Sequence, residues 1–508
     1  MERNESQSSS QQDILIIAKG AGIVFFGLVL GTGIRYVFQI IVARNLGPEL
    51  LGLFILGFAV FRIAGMVSMM GLPHGIIRYV AIYNGKSDKR RLKGIIKSAH
   101  KIILISSSIV SLLIFLLAKP IAVHLFNNLG LESILRLFAI IIPFFTLTSV
   151  NIFSAQGFKR LEYKIIPREI FEPLARIFFV LILFLFGLRL YGVMLAYLIS
   201  VIGGMFLSFY FLKKIFPAFA QREVLPQYET KRLLTFSWPL LFVQFFGQFL
   251  LILDNLMLGY FKTSQDVGIY SAAQRTALLG SVIIASFNSI FGPIISDLYY
   301  RKEISRLKDY FKTIAKWAFT FSFPVLLALI FFSKSILNIF GQEFLHGATC
   351  LIILSFGWII YSAVGTLAQM LIMTGRQKLH LVNVSAILVL NIISNIILIP
   401  KLGIIGAAIT TSSCLVLLCF TELIQIYLIL NIHPYKIEFL KPFFAGIITS
   451  GILLLLIGKT APVYKPPLLI IILGITFCIY ILLIYIFGLN EEDKTVLRKI
   501  GDKILNKQ

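Results

Sequence analysis

Apolar runs of about twenty residues recur along this 508-residue chain, divided by short basic segments. One such run crosses the roughly 30 Å hydrocarbon core of a bilayer as a single helix. Lipid offers no partner to unpaired backbone N–H and C=O groups, so a spanning chain must form helices or a closed barrel. Barrel strands are about ten residues long and alternate in polarity. These runs are longer and apolar on every face. The spans are expected near 19–43, 50–77, 98–118, 132–156, 165–187, 190–212, 233–259, 266–297, 314–333, 347–373, 381–400, 403–430, 442–457 and 467–488. The expected fold is an all-α integral membrane protein of about 14 transmembrane helices. Composition agrees: 58% of the residues are hydrophobic, above the roughly 45–50% of soluble domains.

Charge tests the count independently. Only 14% of the residues are charged, yet the net charge is +24. A nucleic-acid binder would carry that charge as a stripe on a polar domain. Here it sits in clusters between apolar runs, which points to a membrane and not to nucleic acid. With a cytoplasmic N-terminus, 34 Lys and Arg fall on cytoplasmic segments and 8 on outer ones. That is the bias of the positive-inside rule, and a miscounted helix would reverse it from that point on. Even parity and two cytoplasmic termini follow, with the basic face drawn to anionic membrane lipid. The polar start, Met1 to Gln12, reads as a disordered cytoplasmic tail without signal-peptide features. Cys350, Cys414, Cys419 and Cys478 lie in apolar runs at irregular spacing, so they are expected to be buried thiols with no disulfide or metal framework. No cofactor motif is present.

Three local patterns recur at nearly one offset. Gly52 and Gly268 open spans two and eight, a shift of 216; Gly157 and Gly375 end spans four and ten, a shift of 218; Gly192 and Gly406 open spans six and twelve, a shift of 214. Six helices separate the partners, and an even number preserves orientation, so the halves read as parallel repeats. The expected organisation is a cytoplasmic tail (1–18), an N-terminal lobe (19–215), a pseudo-symmetric C-terminal lobe (216–432), two further helices (433–488) and a second cytoplasmic tail (489–508). Two six-helix lobes around a cavity form a transporter plan.

The stretch Ala43-Arg44-Asn45-Leu46-Gly47-Pro48-Glu49-Leu50-Leu51-Gly52 resembles the signature between the first two helices of polysaccharide flippases. Gly71-Leu72-Pro73 through Arg78, the Asp266–Tyr270 turn, Thr374-Gly375-Arg376 and the run from Asn391 through Asn395 and Pro400 to Ala408 fit the same pattern. The resemblance covers about 15–430 and identifies the polysaccharide transporter branch of the multidrug/oligosaccharidyl-lipid/polysaccharide flippase superfamily. It implies a fourteen-helix, two-lobed protein of the cytoplasmic membrane. Such a protein moves isoprenoid-diphosphate-linked oligosaccharides outward by alternating access. It also implies that spans 13 and 14 form a groove for the isoprenoid tail.

Charges within spans are costly and usually face a cavity or a partner. Of the five in-span arginines, Arg136 lies near an outer end, where it can snorkel to the surface. Arg35, Arg62, Arg176 and Arg275 remain as an expected diphosphate clamp, because guanidinium stays charged when desolvated and binds phosphate oxygens in pairs. The offset maps Arg275 onto position 59, one turn from Arg62. The bland alternative is ion pairing: Arg176 lies four residues after Glu172, and Arg275 can reach Asp254. Asp254, beside Asn255 in span seven, is the ion-coupling candidate, binding a proton or sodium ion, with an arginine partner or a packing hydrogen bond as its alternative.

Competing readings are weaker. Gly458-Lys459-Thr460 and Gly85-Lys86-Ser87 lack the upstream glycines of a phosphate loop. A membrane-embedded glycan ligase or polymerase needs a large extramembrane loop or clustered carboxylates, and Asp plus Glu total 23. An ion-coupled multidrug or cation exporter of the same superfamily is the nearer rival, and it would favour acidic over cationic cavity walls.

Overall fold

The computed structural model describes residues 2–457 and 463–488. The expected C-terminal tail at 489–508 and Lys459 lie outside the described residues. Within them the chain is helical, with no strand. In order these are α1 (Glu2–Met69), α2 (Leu72–Gly85), α3 (Lys89–Pro120), α4 (Gly130–Gly157), α5 (Glu162–Ile165), α6 (Glu172–Leu185), α7 (Arg189–Ile215), α8 (Thr230–Phe261) and α9 (Ser264–Ala277). There follow α10 (Leu279–Tyr300), α11 (Ile304–Phe331), α12 (Ser333–Asn338), α13 (Ala348–Val364), α14 (Leu367–Met373), α15 (Gln377–Leu402), α16 (Ile404–Leu430), α17 (Leu440–Ile457) and α18 (Pro466–Ile486). The polar segment expected as a disordered tail is drawn into α1, which begins at Glu2.

Among the described residues ten helices are long and apolar enough to cross a membrane, or twelve when each of two bent pairs counts as one span. The difference from fourteen has two identifiable places. Phe26–Met69 counts once although it has 44 residues, about 66 Å at 1.5 Å per residue, twice the bilayer core. It carries two expected spans joined at Gly47, whose φ of 73° and ψ of 175° break the helix. The next residue, Pro48, suits the first turn of the helix that restarts there. The expected fifth span is divided into α5, a wide π turn (Ile166–Phe171) and the 14-residue α6.

Contacts cluster into two units. One runs from the N-terminus through Ala272 and includes Val384–Thr410; the other comprises Ala273–Asn383 and the chain from Thr411 onward. In the first, α4 packs on α1, α2, α3 and α7, while α8 packs on α1 and α2. In the second, α11 packs on α10, α13, α17 and α18. Buried Cys350, Cys414 and Cys419 match their apolar surroundings, but Cys478 is exposed. Apolar residues cover much of the outside of α18, and a thiol on a lipid-facing helix needs no protein neighbours.

Two of the glycines paired by the offset make close backbone approaches. Gly52 abuts the Ser264 carbonyl and Gly268 abuts the Pro48 carbonyl. The offset of 216 exchanges Pro48 with Ser264 and Gly52 with Gly268, so each half makes the same approach to the other's helix start. A Cβ at either glycine would overlap backbone atoms. Gly52→Ala and Gly268→Ala are each expected to destabilise the protein by about 1–3 kcal/mol, the cost of overpacking. Gly451→Ala, with nothing within 4 Å, is expected to be neutral. Thermal unfolding of the detergent-solubilised variants checks this, and equal midpoints for all three would remove the tight contact.

Candidate functional site

The wide turn between α5 and α6 creates the site. Pro173 has no N–H to donate to the Glu169 carbonyl, and Pro167 likewise withholds a donor. The ladder widens in response, with Glu172 N–H donating to the Pro167 carbonyl five residues back. Such π turns occur mostly at functional positions. Here the turn re-phases the helix: Lys164, Arg168 and Glu169 face a cavity, while Glu172 and Arg176 run along α7 at Gly204 and Ser200.

The cavity has a volume of about 450 Å³ and is lined from α1, α2, α4, α5, the wide turn and α8. Among the described residues Arg62, Lys164 and Arg168 bring positive charge to its wall and Glu169 brings negative charge. Arg62 Nη2 donates to Gln248 Oε1 at 2.9 Å. Arg168 Nη1 donates to Ser149 Oγ at 2.9 Å, and its guanidinium lies 4.0 Å from the Phe145 ring centroid. Lys164 Nζ donates to Gln156 Oε1 at 2.8 Å. Glu169 is engaged by Arg35, whose Nη1 lies 2.5 Å from Oε2. The wall therefore stays cationic, with hydroxyl and amide groups beside each charge and Met66 and Met69 completing an apolar part.

The arginines expected from the sequence meet different fates. Arg62 lines the cavity, and Arg35 stands within electrostatic reach of Arg62. Arg176 is in a buried ion pair, Nη2 to Glu172 Oε2 at 2.7 Å, with side-chain exposures of 11% and 2%. It also donates to Ser200 and lies 4.0 Å from the Tyr197 ring centroid. Its pairing alternative is thus realised. Arg275 lies on α9, in the part assigned to the second unit. Lys164 and Arg168 were absent from the sequence reading because they sit at a helix end and count there as cytoplasmic charge. The signal that could have found them is local: two prolines flank Arg168-Glu169 within seven residues.

Asp254 is 1% exposed. Its Oδ2 accepts from the Tyr270 hydroxyl at 2.8 Å and its Oδ1 from Asn395 Nδ2 at 2.9 Å. Asn395 Nδ2 also donates to Asn391 Oδ1 at 2.9 Å, and Asn395 Oδ1 is buried with no partner. The result is an oxygen-rich polar knot between α8, α9 and α15, in which each carboxylate oxygen accepts a hydrogen bond. No group of three or more potential metal-ligating His, Cys, Asp or Glu exists among the described residues.

Comparison with known proteins agrees with this architecture. The family model described as polysaccharide biosynthesis protein matches residues 17–299, and the MatE model matches 239–397. An uncharacterized membrane protein of Methanocaldococcus jannaschii is 26% identical over 77% of this chain and 80% of its own length. A probable low-salt glycan biosynthesis flippase of Haloferax volcanii is 28% identical over 33% of this chain and 35% of its own. Among solved structures, the lipid II flippase MurJ in an inward closed conformation aligns with a TM-score of 0.70 at 17% identity, covering 91% of this chain and 98% of that one. An inward-facing multidrug resistance MATE transporter aligns with a TM-score of 0.65 at 17% identity, covering 80% and 98%. A match to more than half of the chain by one family model, on a helical membrane fold shared with transporters, leads to one statement. The chain belongs to the polysaccharide biosynthesis protein family, in the polysaccharide-flippase branch of the multidrug/oligosaccharidyl-lipid/polysaccharide flippase superfamily.

Proposed function

We propose that this protein translocates isoprenoid-diphosphate-linked oligosaccharides, the repeat units of a polysaccharide, across the cytoplasmic membrane by alternating access. The observation that carries this reading is the cationic cavity of Arg62, Lys164 and Arg168. A diphosphate suits it: arginine binds phosphate oxygens through paired N–H groups and keeps its charge when water leaves. Arg35 contributes by occupying Glu169, which would otherwise repel the anion. Arg176 and Arg275 are the remaining members of the proposed clamp, with the Glu172 pair as the alternative role of Arg176. The lobes 19–215 and 216–432 move against each other, with 433–488 as an appendage that guides an undecaprenyl or dolichyl tail. Both termini are cytoplasmic on this reading.

The knot at Asp254 is the proposed coupling site for a proton or sodium ion. Asp254→Asn is expected to remove any stimulation of transport by an imposed ion gradient while transport without a gradient persists. Fluxes measured under sodium and pH gradients check this, and undiminished stimulation by both gradients removes Asp254 from coupling.

The experiment that tests the function is reconstitution into proteoliposomes with a fluorescent polyisoprenyl-diphosphate oligosaccharide. Protein-dependent movement between leaflets supports the flippase reading. Movement of an organic cation, and none of the lipid, would assign the chain to multidrug export. That rival fits poorly with a wall of three cations.

A further inference from the structure

A second ionisable group is buried in the other contact unit, away from the cationic cavity. His380 stands in the first turn of α15, and Glu422 about two turns before the end of α16. His380 Nδ1 lies 2.6 Å from Glu422 Oε1. The Glu422 side chain is 4% exposed and that of His380 24%. One turn along each helix, Asn383 and Gln425 exchange two hydrogen bonds of 2.7 and 2.9 Å. Both pairs are separated by 42 residues, so the amide pair clamps the helices at the level where histidine meets carboxylate.

Among the described residues, His380 is the ion-pair partner recorded for Glu422. Tyr361 on α13 and Cys419, three residues before Glu422, stand within its electrostatic reach, and both are uncharged in their ordinary protonated forms. Arg376, in the turn before α15, directs Nη1 to the Tyr299 hydroxyl and the Thr374 carbonyl, each at 3.2 Å. Leu379, Leu423 and Ile426, adjacent in sequence or within a turn of the pair, belong to or pack against a buried apolar cluster. His380 Nε2 has no hydrogen-bond partner among the described residues, and it is on the more exposed member of the pair.

We propose that the His380–Glu422 pair is a proton-binding site of this transporter. A histidine carrying its proton on Nδ1 donates it to Glu422 and leaves a lone pair on Nε2. The pair then has a net charge of −1. A proton arriving from water forms one N–H bond at Nε2 and yields an imidazolium–carboxylate pair of zero net charge. Loading thus replaces a net charge at the buried helix contact by an ion pair. The proton leaves when the two helices part and water reaches Glu422. Intramembrane His and carboxylate groups commonly form such relays, and histidine is the side chain whose charge changes near neutral pH. Binding is thereby tied to the packing of α15 against α16.

The test needs no lipid-linked sugar, so it stands apart from the flipping assay. Proteoliposomes containing the full-length protein are adsorbed on a solid-supported membrane and given a rapid pH jump. The wild-type protein is expected to give a transient current from proton binding. Glu422→Gln, which keeps size and hydrogen bonding, and His380→Gln are each expected to abolish it. Glu422→Asp, which keeps the carboxylate, is expected to restore it. A current that survives both Gln variants overturns the proposal. So does a current that Asp254→Asn removes and Glu422→Gln leaves intact, and so does the absence of any current from folded wild-type protein.

Discussion

Arg62→Ala is expected to slow protein-dependent flipping of a fluorescent polyisoprenyl-diphosphate oligosaccharide by about ten- to a hundred-fold. Hydrogen bonds to a charged group contribute about 1.5–3 kcal/mol, and each 1.4 kcal/mol is a factor of ten in rate or affinity. Arg62 is the in-span cation that lines the cavity and is held there by Gln248. Arg62→Lys keeps the charge without the planar fork and should recover only part of the rate. Arg168→Ala should cost a similar factor, because the hydroxyl of Ser149 and the ring of Phe145 hold its guanidinium at the same wall. Arg136→Ala serves as the control: that side chain pairs with Glu132 at 2.7 Å and is half-exposed. Flipping that survives both Arg62→Ala and Arg168→Ala would keep the function and move the diphosphate elsewhere.

Glu172→Ala is expected to destabilise the protein by about 3–5 kcal/mol, because it leaves the Arg176 guanidinium buried without a counter-ion. Ser200 and the Tyr197 ring soften the loss but bring no negative charge. Replacing both partners by leucine should recover most of the stability, since a well-packed apolar pair often equals a buried ion pair. The thermal midpoint of the purified protein reads all of these changes. The same series decides the role of Arg176. If Arg176→Ala leaves the midpoint unchanged and slows flipping, Arg176 belongs to the diphosphate clamp. If the midpoint falls and the double leucine variant restores both stability and flipping, the pair serves the fold.

Much of the fold was legible because lipid is a demanding solvent. Long apolar runs must be helices there, whatever they pack against. Gly52 and Gly268 were legible as special positions, and each marks a backbone approach that admits no Cβ. The site was legible only in part. In-span arginines draw attention by their cost, which located Arg62 and Arg35. Cost alone does not separate a substrate contact from a buried pair, and Arg176 answers the same description as Arg62 until Glu172 is seen beside it.

What the sequence determined by itself, then, is a helical membrane protein with isolated intramembrane charges, since these follow from hydropathy and local backbone rules. Tertiary structure decided which charges share a cavity. Lys164 and Arg168 face Arg62 because two prolines open a π turn that rotates them inward, and His380 meets Glu422 because separate helices bring them to one level. Such meetings depend on how helices are rotated and packed, and local sequence rules do not specify rotation between elements distant in the chain.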